Sequence, residues 1–144
     1  MSEAPTILIV PLFSQLGNLG LALRREVFIR EQKVPEEDEF DSYDLTATHV
    51  VAVTGGNVAG VLRILFLPEH VKIGRVAVGR DWRGQGIASA MMRFAMEHAR
   101  GRGEMRFYLT AQIDKLTLYE KLGYVAFGEP FQDGGMPHLA MKTY

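Results

Sequence analysis

A strand that runs into a glycine-containing loop and then into an amphipathic helix is the feature that most limits what this chain can fold into. Residues 73–78 are a predicted strand, and residues 87–100 repeat apolar side chains at helical spacing. Between them, Gly84 and Gly86 have no Cβ, so an anionic group can approach the backbone closely. The first amides of a helix lack intrahelical partners and carry partial positive charge, so we expect this loop to bind phosphate.

Two common phosphate-binding motifs do not match this segment. Gly79 and Gly84 have the spacing of a P-loop, but Gln85 and Gly86 follow where that motif requires Lys and then Ser or Thr. The dinucleotide-binding fingerprint requires a third Gly or Ala at the position of Ser89, and it opens a parallel βαβ domain. The segment lies in the middle of the chain, so the sequence favours neither of these folds.

The remaining patterns predict one domain, over residues 1–144. Apolar, β-rich runs predict strands at residues 7–10, 49–54, 58–66, 73–78, 105–110, 124–127 and 138–143. Helical spacing and glycine stops predict helices at residues 19–32, 87–100 and 113–122. The order of these elements favours an α/β (α+β) fold, in which helices pack on one mixed sheet that is antiparallel at first and partly parallel later.

Composition excludes several classes of function. The 144 residues include no cysteine, so a disulfide framework, a thiolate nucleophile and a cysteine metal site are all absent. The 16 basic and 17 acidic residues give a net charge of -1, which leaves no overall basic surface for nucleic acid. The histidines show no pair at metal-ligand spacing, so we predict no metal. The apolar run over residues 7–13 is interrupted by Pro11 and is too short to span a membrane. No signal peptide is recognised, so we expect no membrane partner and a cytoplasmic location.

Residues 83–88 resemble the phosphate-binding motif of the GNAT superfamily of acyl-coenzyme A N-acyltransferases. In that motif Gln or Arg is followed by two residues, Gly, one residue, and Gly or Ala; Arg83, Gly86 and Ala88 occupy the specified positions. Residues 118–124, LYEKLGY, are similar to the second signature of that family. Further positions resemble the ElaA-like (YjcF-like) branch, so that nearly the whole chain is covered: residues 27–35, Glu39, Asp41, Asp44, His49, residues 111–112, residues 134–138 and Met141.

The resemblance implies the GNAT fold, a mostly antiparallel sheet with helices on both faces and two neighbouring strands that splay apart around acetyl-coenzyme A. On this sequence the splayed strands are residues 73–78 and 105–110. The backbone at 76–78 is then expected to pair with the pantetheine arm as an added strand does, and an N–H near Val78 to face the thioester oxygen. The expected donor-binding residues are Val76, Ala77, Val78, Arg83, Gly84, Gln85, Gly86, Ile87, Ala88, Ser89 and Gln112.

The reaction of the family is direct attack of a neutral amine on the thioester, so the resemblance implies an N-acetyltransferase for a small-molecule amine or an exposed amino group. Tyr119 matches the tyrosine that protonates the leaving thiolate in many relatives, with a packed core aromatic as the alternative. Gln112 stands where many members have a coenzyme-bonding asparagine. A coenzyme A-binding sensor without turnover is the alternative function. A homodimer is the one protein partner that the sequence leaves open.

The sequence offers several candidates for the general base that an ammonium substrate requires. Glu31, at the end of the first predicted helix, is the first choice among them. Each candidate also has a structural interpretation, as a cap, a turn former, a solvated helix end or a hydrogen-bonded strand-end residue. The full set is Glu31, Asp41, Asp44, His49 and His138.

Six carboxylates crowd residues 36–44, which lie in a predicted loop over residues 33–48. They can steer a cationic amine toward a cleft, but a solvated surface is the favoured interpretation. Arg63 alternates with Val61 and Leu65, so it points to an otherwise apolar face and needs an anionic partner there. We expect that partner to be a carboxylate of the acidic loop, with a carboxylate of the substrate as the alternative.

Overall fold

The computed structural model describes residues 4–144, in which one seven-stranded mixed sheet forms the centre of the fold. The strands are β1 (Thr6–Val10), β2 (Thr48–Thr54), β3 (Asn57–Phe66), β4 (Val71–Val78), β5 (Phe107–Gln112), β6 (Val125–Asp133) and β7 (Met136–Lys142). Their order across the sheet is β1-β2-β3-β4-β5-β7-β6. Only β4 and β5 are parallel neighbours in this sheet, so the predicted mixed, mostly antiparallel architecture is confirmed.

Helices cover both faces of the sheet, as predicted. They are α1 (Gln15–Arg24) with a π-helical continuation (Arg25–Glu31), α2 (Glu36–Glu39), α3 (Ile87–Gly101) and α4 (Leu116–Glu120). Val50 packs in one core cluster with Met91 of α3, whereas its neighbour Val51 packs in a second cluster with Val27 of the first helix. Adjacent strand residues point to opposite faces, so β2, β3 and β4 contribute buried residues to both clusters. Among residues 4–144, no helix has the length and apolar character needed to cross a membrane.

β4 and β5 separate soon after they meet, which confirms the predicted splayed pair. Their parallel pairing ends at Lys72 and Tyr108. On its other edge, β4 continues along β3 through a bulge in which Arg75 and Val76 lie opposite a single residue. Arg75 has a φ of +54°, a left-handed conformation that is uncommon for a residue other than glycine. β4 and β5 therefore diverge next to a bulge in β4 whose backbone is locally strained at Arg75.

The first helix differs from the prediction in its start and in its geometry. It begins at Gln15 rather than at residue 19, because the Ser14 side chain caps it by accepting a hydrogen bond from the Gly17 amide at 3.0 Å. Its last seven residues, Arg25–Glu31, are π-helical. The spacing of apolar residues reveals neither the capping residue Ser14, which precedes the first apolar residue of the pattern, nor the change from α-helix to π-helix at Arg25.

Other boundaries also depart from the prediction. β6 extends beyond residues 124–127 to Asp133, because it resumes pairing with β7 at Phe131 after an irregularity. The predicted loop over residues 33–48 contains α2 and a 3₁₀ turn. The helix predicted at residues 113–122 is a 3₁₀ turn followed by the short α4.

Candidate active site

A cleft of about 460 Å³ opens where β4 and β5 diverge. It has the size of a small-molecule site. Tyr119 and His138 line it, whereas Glu31 and Gln85 do not. The cleft brings together most of the residues predicted to bind the acyl donor: Val76, Ala77, Val78, Arg83, Gly84, Gly86, Ile87, Ala88, Ser89 and Gln112.

The loop before α3 presents main-chain amides that are not used within the protein. Gly84 and Gly86 both have a φ of +78°, a conformation that glycine adopts without Cβ strain. Gly86 is the N-cap of α3, and no side chain caps that end of the helix. No main-chain amide of residues 84–89 donates a hydrogen bond to another residue within the described range 4–144. Together with the dipole of α3, these amides can hold the oxygens of a phosphate group.

The edge of β4 that faces the cleft has no strand partner beyond Lys72 within the part of the chain that the structure describes. Residues 76–78 lie on this open stretch and line the cleft. Unpaired peptide groups at a sheet edge can receive an extended ligand in the manner of an additional strand. Arg83 lies over the end of the stretch, because its Nε donates a hydrogen bond to the carbonyl oxygen of Val78 at 3.0 Å.

Arg83 also binds Glu31 with both terminal nitrogens. Its Nη2 and Nη1 donate to Oε1 and Oε2 of Glu31 at 2.7 and 3.0 Å. Hydrogen bonding from Arg83 holds the pKa of the Glu31 carboxyl below its usual value of 4.5. Glu31 itself lies outside the lining of the cleft and is engaged in an ion pair with Arg83. Its assignment as the base stays a prediction that this geometry does not favour.

Tyr119 lies on α4 and lines the cleft with a side chain that is only 8% exposed. Burial raises the pKa of its phenol to about 12, so the hydroxyl is protonated throughout the neutral range. Its ring meets that of Tyr124 edge-on, with 6.1 Å between the ring centroids. A protonated hydroxyl at the wall of the cleft can donate a proton to a group on which negative charge develops.

His138 is the base candidate that lines the cleft, whereas Asp41, Asp44 and His49 lie outside its lining. The Nδ1 of His138 lies 2.8 Å from the carbonyl oxygen of Met136. A carbonyl only accepts, so Nδ1 carries the proton and Nε2 of the neutral ring is left as an acceptor. This tautomer gives the cleft a nitrogen that can take a proton from a substrate.

A buried ionic network occupies the place of the solvated acidic surface that the sequence predicted. Arg24 is 1% exposed and binds Glu39 and Asp44, each at 2.7 Å. Arg63 binds Asp41 at 2.7 Å and Asp44 at 2.9 Å, which confirms the prediction that it pairs with the acidic segment. The prediction of a solvated surface is wrong for Glu39 and Asp44, which are 3% and 6% exposed because the arginines draw them inward.

Arg75 connects this network to the cleft. Its Nε donates to the carbonyl oxygen of Glu39 at 3.1 Å and its Nη2 to that of Asp38 at 3.0 Å. These contacts fix the position of the Arg75 guanidinium. Arg75 also lines the cleft and forms part of the bulge of β4.

The ionic network changes the pKa values of its carboxyl groups. Hydrogen bonding from Arg63 holds the pKa of Asp41 below its usual value of 3.8. Burial raises the pKa of Glu39, although the charges of the neighbouring arginines act to lower it.

Comparison with known proteins identifies the family. Residues 21–124 match the Acetyltransferase (GNAT) family. The chain belongs to the GNAT family. It is 33% identical over 120 residues to the uncharacterized N-acetyltransferase YjcF of Bacillus subtilis, and this alignment covers 83% of this chain and 86% of YjcF. It is 32% identical over 134 residues to the protein ElaA of Escherichia coli, and this alignment covers 89% of this chain and 86% of ElaA.

Solved structures agree with this membership. The crystal structure of Escherichia coli ElaA matches with a TM-score of 0.86 at 29% identity, covering 96% of this chain and 99% of ElaA. An acyl-CoA N-acyltransferase from Pseudomonas aeruginosa matches with a TM-score of 0.86 at 31% identity, covering 98% and 100% of the two chains. The protein is a GNAT acyltransferase of the ElaA-like branch, so the resemblance in its sequence is confirmed. Acyl donors of this family are linked to coenzyme A.

Proposed function

We propose that this GNAT protein transfers an acetyl group from acetyl-coenzyme A directly to a primary amine, on a small molecule or as an exposed amino group. The observation that carries the proposal is the meeting of three features in one cleft. These are the unbonded amides of residues 84–89, the open edge of β4 and the protonated hydroxyl of Tyr119. The unbonded amides suit a diphosphate, the open edge of β4 suits the amide-containing arm of a coenzyme, and the hydroxyl of Tyr119 suits a leaving sulfur.

The residues of the cleft fit an extended coenzyme. The amides of residues 84–89 would hold its diphosphate, and the edge at residues 76–78 would pair with its amide groups. When bound, it supplies a thioester carbonyl for attack. Gln112 departs from the family pattern, in which many members have asparagine, and its Nε2 donates a hydrogen bond to Oε1 of Gln32 at 2.8 Å. We therefore give Gln112 the role of joining β5 to the end of the first helix across the cleft.

Tyr119 is the proposed general acid. In water a thiol has a pKa of about 8.5 and a phenol of about 10, and burial raises the pKa of Tyr119 to about 12. The same burial disfavours a free thiolate in the cleft. The phenol therefore keeps its proton in the resting protein and gives it up only as charge develops on the sulfur.

His138 is the proposed base, in place of Glu31, because it lines the cleft and its Nε2 is an acceptor. The ammonium of the acceptor first loses a proton to this nitrogen. The amine nitrogen then bonds to the carbonyl carbon as the carbon–sulfur bond breaks, and Tyr119 protonates the sulfur. The proton that leaves the new amide nitrogen restores the phenol, so protons and electrons balance.

Thiol release from acetyl-coenzyme A with a panel of primary amines tests the proposal. We expect amine-dependent release that falls roughly 10²- to 10⁴-fold in Tyr119→Phe, with coenzyme A binding retained. Tyr124→Phe is the matched control, since it removes a neighbouring buried hydroxyl that has no hydrogen-bond partner within residues 4–144. Tight coenzyme A binding without amine-dependent release across the panel would contradict the proposal and favour a sensor.

A further inference from the structure

Lys72 is a cation at the wall of the cleft that no carboxylate of residues 4–144 contacts in an ion pair. It occupies the last position of β4 that pairs with β5, and it lines the cleft. Its ammonium forms no ion pair with any residue in the described range 4–144. The ionic network beside it is balanced, three cations against three anions: Arg24, Arg63 and Arg75 against Glu39, Asp41 and Asp44. Lys72 is therefore not part of this network, and its ammonium stays without an ion-pair partner at the wall of the cleft.

The surroundings of Lys72 disfavour an isolated ammonium. Burial, followed by repulsion from Arg63 and Arg75, lowers the pKa of Lys72. The charges of Asp133 and Asp41 act to raise the pKa of Lys72, but neither carboxylate lies within ion-pair distance of its ammonium. A partly buried cation without a counter-ion is unfavourable, so an anion that enters the cleft would relieve both the burial and the repulsion.

Lys72 lies on the same face of the sheet as the proposed base. It pairs with Tyr108 of β5, while Gln112 of the same strand pairs with His138 of β7. Tyr108 and Gln112 are an even number of residues apart, so all four side chains point to one face. The two pairs are separated by roughly 13 Å along the strand, at about 3.3 Å per residue. An acceptor whose amine lies near His138 can thus extend its other end toward Lys72.

We propose that Lys72 binds an anionic group of the acceptor, and that the acceptor is therefore an amine that carries a carboxylate or a phosphate. This inference rests on the proposed function. Arg63 is not free for the role, because Asp41 and Asp44 already bind its guanidinium. A diamine would instead bring a second positive charge toward Lys72 and Arg75, and is disfavoured by repulsion.

Pairs of amines that differ in one charge test the inference. 5-Aminopentanoate is compared with 5-aminopentanamide, and O-phosphoethanolamine with ethanolamine, by kcat and KM for thiol release. We expect the wild-type protein to prefer the anionic member of at least one pair by roughly tenfold or more, as for a charge-assisted hydrogen bond. The pair with the larger preference distinguishes carboxylate from phosphate.

Variants of Lys72 assign the preference to this residue. Lys72→Met is expected to raise KM for the anionic member roughly tenfold with little change in kcat, and Lys72→Arg to retain the preference. Turnover of the uncharged member at the wild-type rate shows that Lys72→Met is folded. Lys142→Met is the matched control, since Lys142 pairs with Tyr108 on the same sheet face but lies outside the lining of the cleft.

The outcomes separate this inference from the proposed function. Equal kcat/KM for charged and uncharged members in the wild-type protein overturns the inference and leaves the proposed function intact. Lys72→Met lowering kcat/KM equally for both members has the same consequence. If no amine promotes thiol release, the proposed function fails and the inference fails with it.

Discussion

Arg83 and Glu31 form a bidentate ion pair, with nitrogen–oxygen distances of 2.7 and 3.0 Å, between the loop that precedes α3 and the end of the first helix. Arg83 is also the first specified residue of the phosphate-binding motif. A diphosphate at residues 84–89 would compete with Glu31 for this guanidinium, since both present oxygen anions to the same donors. Binding of the coenzyme and the Arg83–Glu31 pair are therefore linked.

Glu31→Gln is expected to tighten coenzyme A binding by up to about fivefold, because exposed ion pairs contribute roughly 0.2–1 kcal/mol and Arg83 would be released toward the diphosphate. Calorimetric titration at low salt measures the change. Glu26→Gln is the control, since it breaks an exposed ion pair with Arg30 in the same helical segment. We also expect an unchanged pH–rate profile for Glu31→Gln. A rate loss over the pH range in which the Glu31 carboxylate is ionised and the acceptor is an ammonium would instead return the base assignment to Glu31.

Gly86 and Gly56 permit a matched test of the phosphate-binding loop. Their φ angles are +78° and +77°, and an added Cβ would meet no described atom within 4 Å at either position. Valine therefore imposes similar backbone strain at both, on the order of 1–3 kcal/mol. Gly86→Val, whose branched side chain lies at the amides of residues 84–89, is expected to abolish the thermal stabilisation that coenzyme A induces.

Gly56→Val should lower Tm but keep that stabilisation, because Gly56 lies in the turn between β2 and β3. Differential scanning fluorimetry with and without coenzyme A measures both variants. A coenzyme-induced shift of wild-type size in Gly86→Val would show that the diphosphate is bound elsewhere.

Arg24→Met is expected to lower the free energy of unfolding by about 3–5 kcal/mol, because it leaves Glu39 and Asp44 buried without their shared cation. Urea denaturation at neutral pH measures the loss. Arg30→Met, in the same helical segment but 69% exposed, should cost less than about 0.5 kcal/mol. Similar losses in the two variants would show that the buried network does not hold the acidic segment in place.

Local patterns were sufficient to predict the parts of the fold and site that depend on backbone geometry. Gly84 and Gly86 stand between a strand and a helix, and that order alone predicts a loop with exposed amides. Arg63 could also be predicted correctly, because its alternation with apolar residues on β3 required an anionic partner.

The ionic network and the unpaired cation could not be predicted in this way. Arg24 lies off the apolar stripe of its helix, a position that indicates exposure, and its partners are 15 and 20 residues away in the chain. Lys72 alternates with Val71 and Ile73 in β4, the pattern of an ordinary solvent-facing position. Periodicity reports which face a residue occupies, but not which distant segment covers that face or where two strands part.

The ion pair between Asp41 and Arg63 predicts how stability responds to acid. Hydrogen bonding from Arg63 holds the pKa of Asp41 below its usual value of 3.8. A carboxyl group whose pKa is lowered in the folded state stabilises the fold above its unfolded pKa, and this contribution is lost as pH falls through the folded value. The free energy of unfolding of the wild-type protein should therefore decline below about pH 4.

Asp41→Asn keeps the shape of the side chain but removes its charge. We expect it to be roughly 1–2 kcal/mol less stable than the wild-type protein at neutral pH, allowing for the partial exposure of Asp41, and to decline less steeply below about pH 4. Urea denaturation across this range measures both effects. Asp38→Asn should follow the wild-type curve, because the Asp38 carboxylate forms no ion pair within residues 4–144. Parallel curves for Asp41→Asn and the wild-type protein would show that the Asp41–Arg63 contact does not govern the acid response.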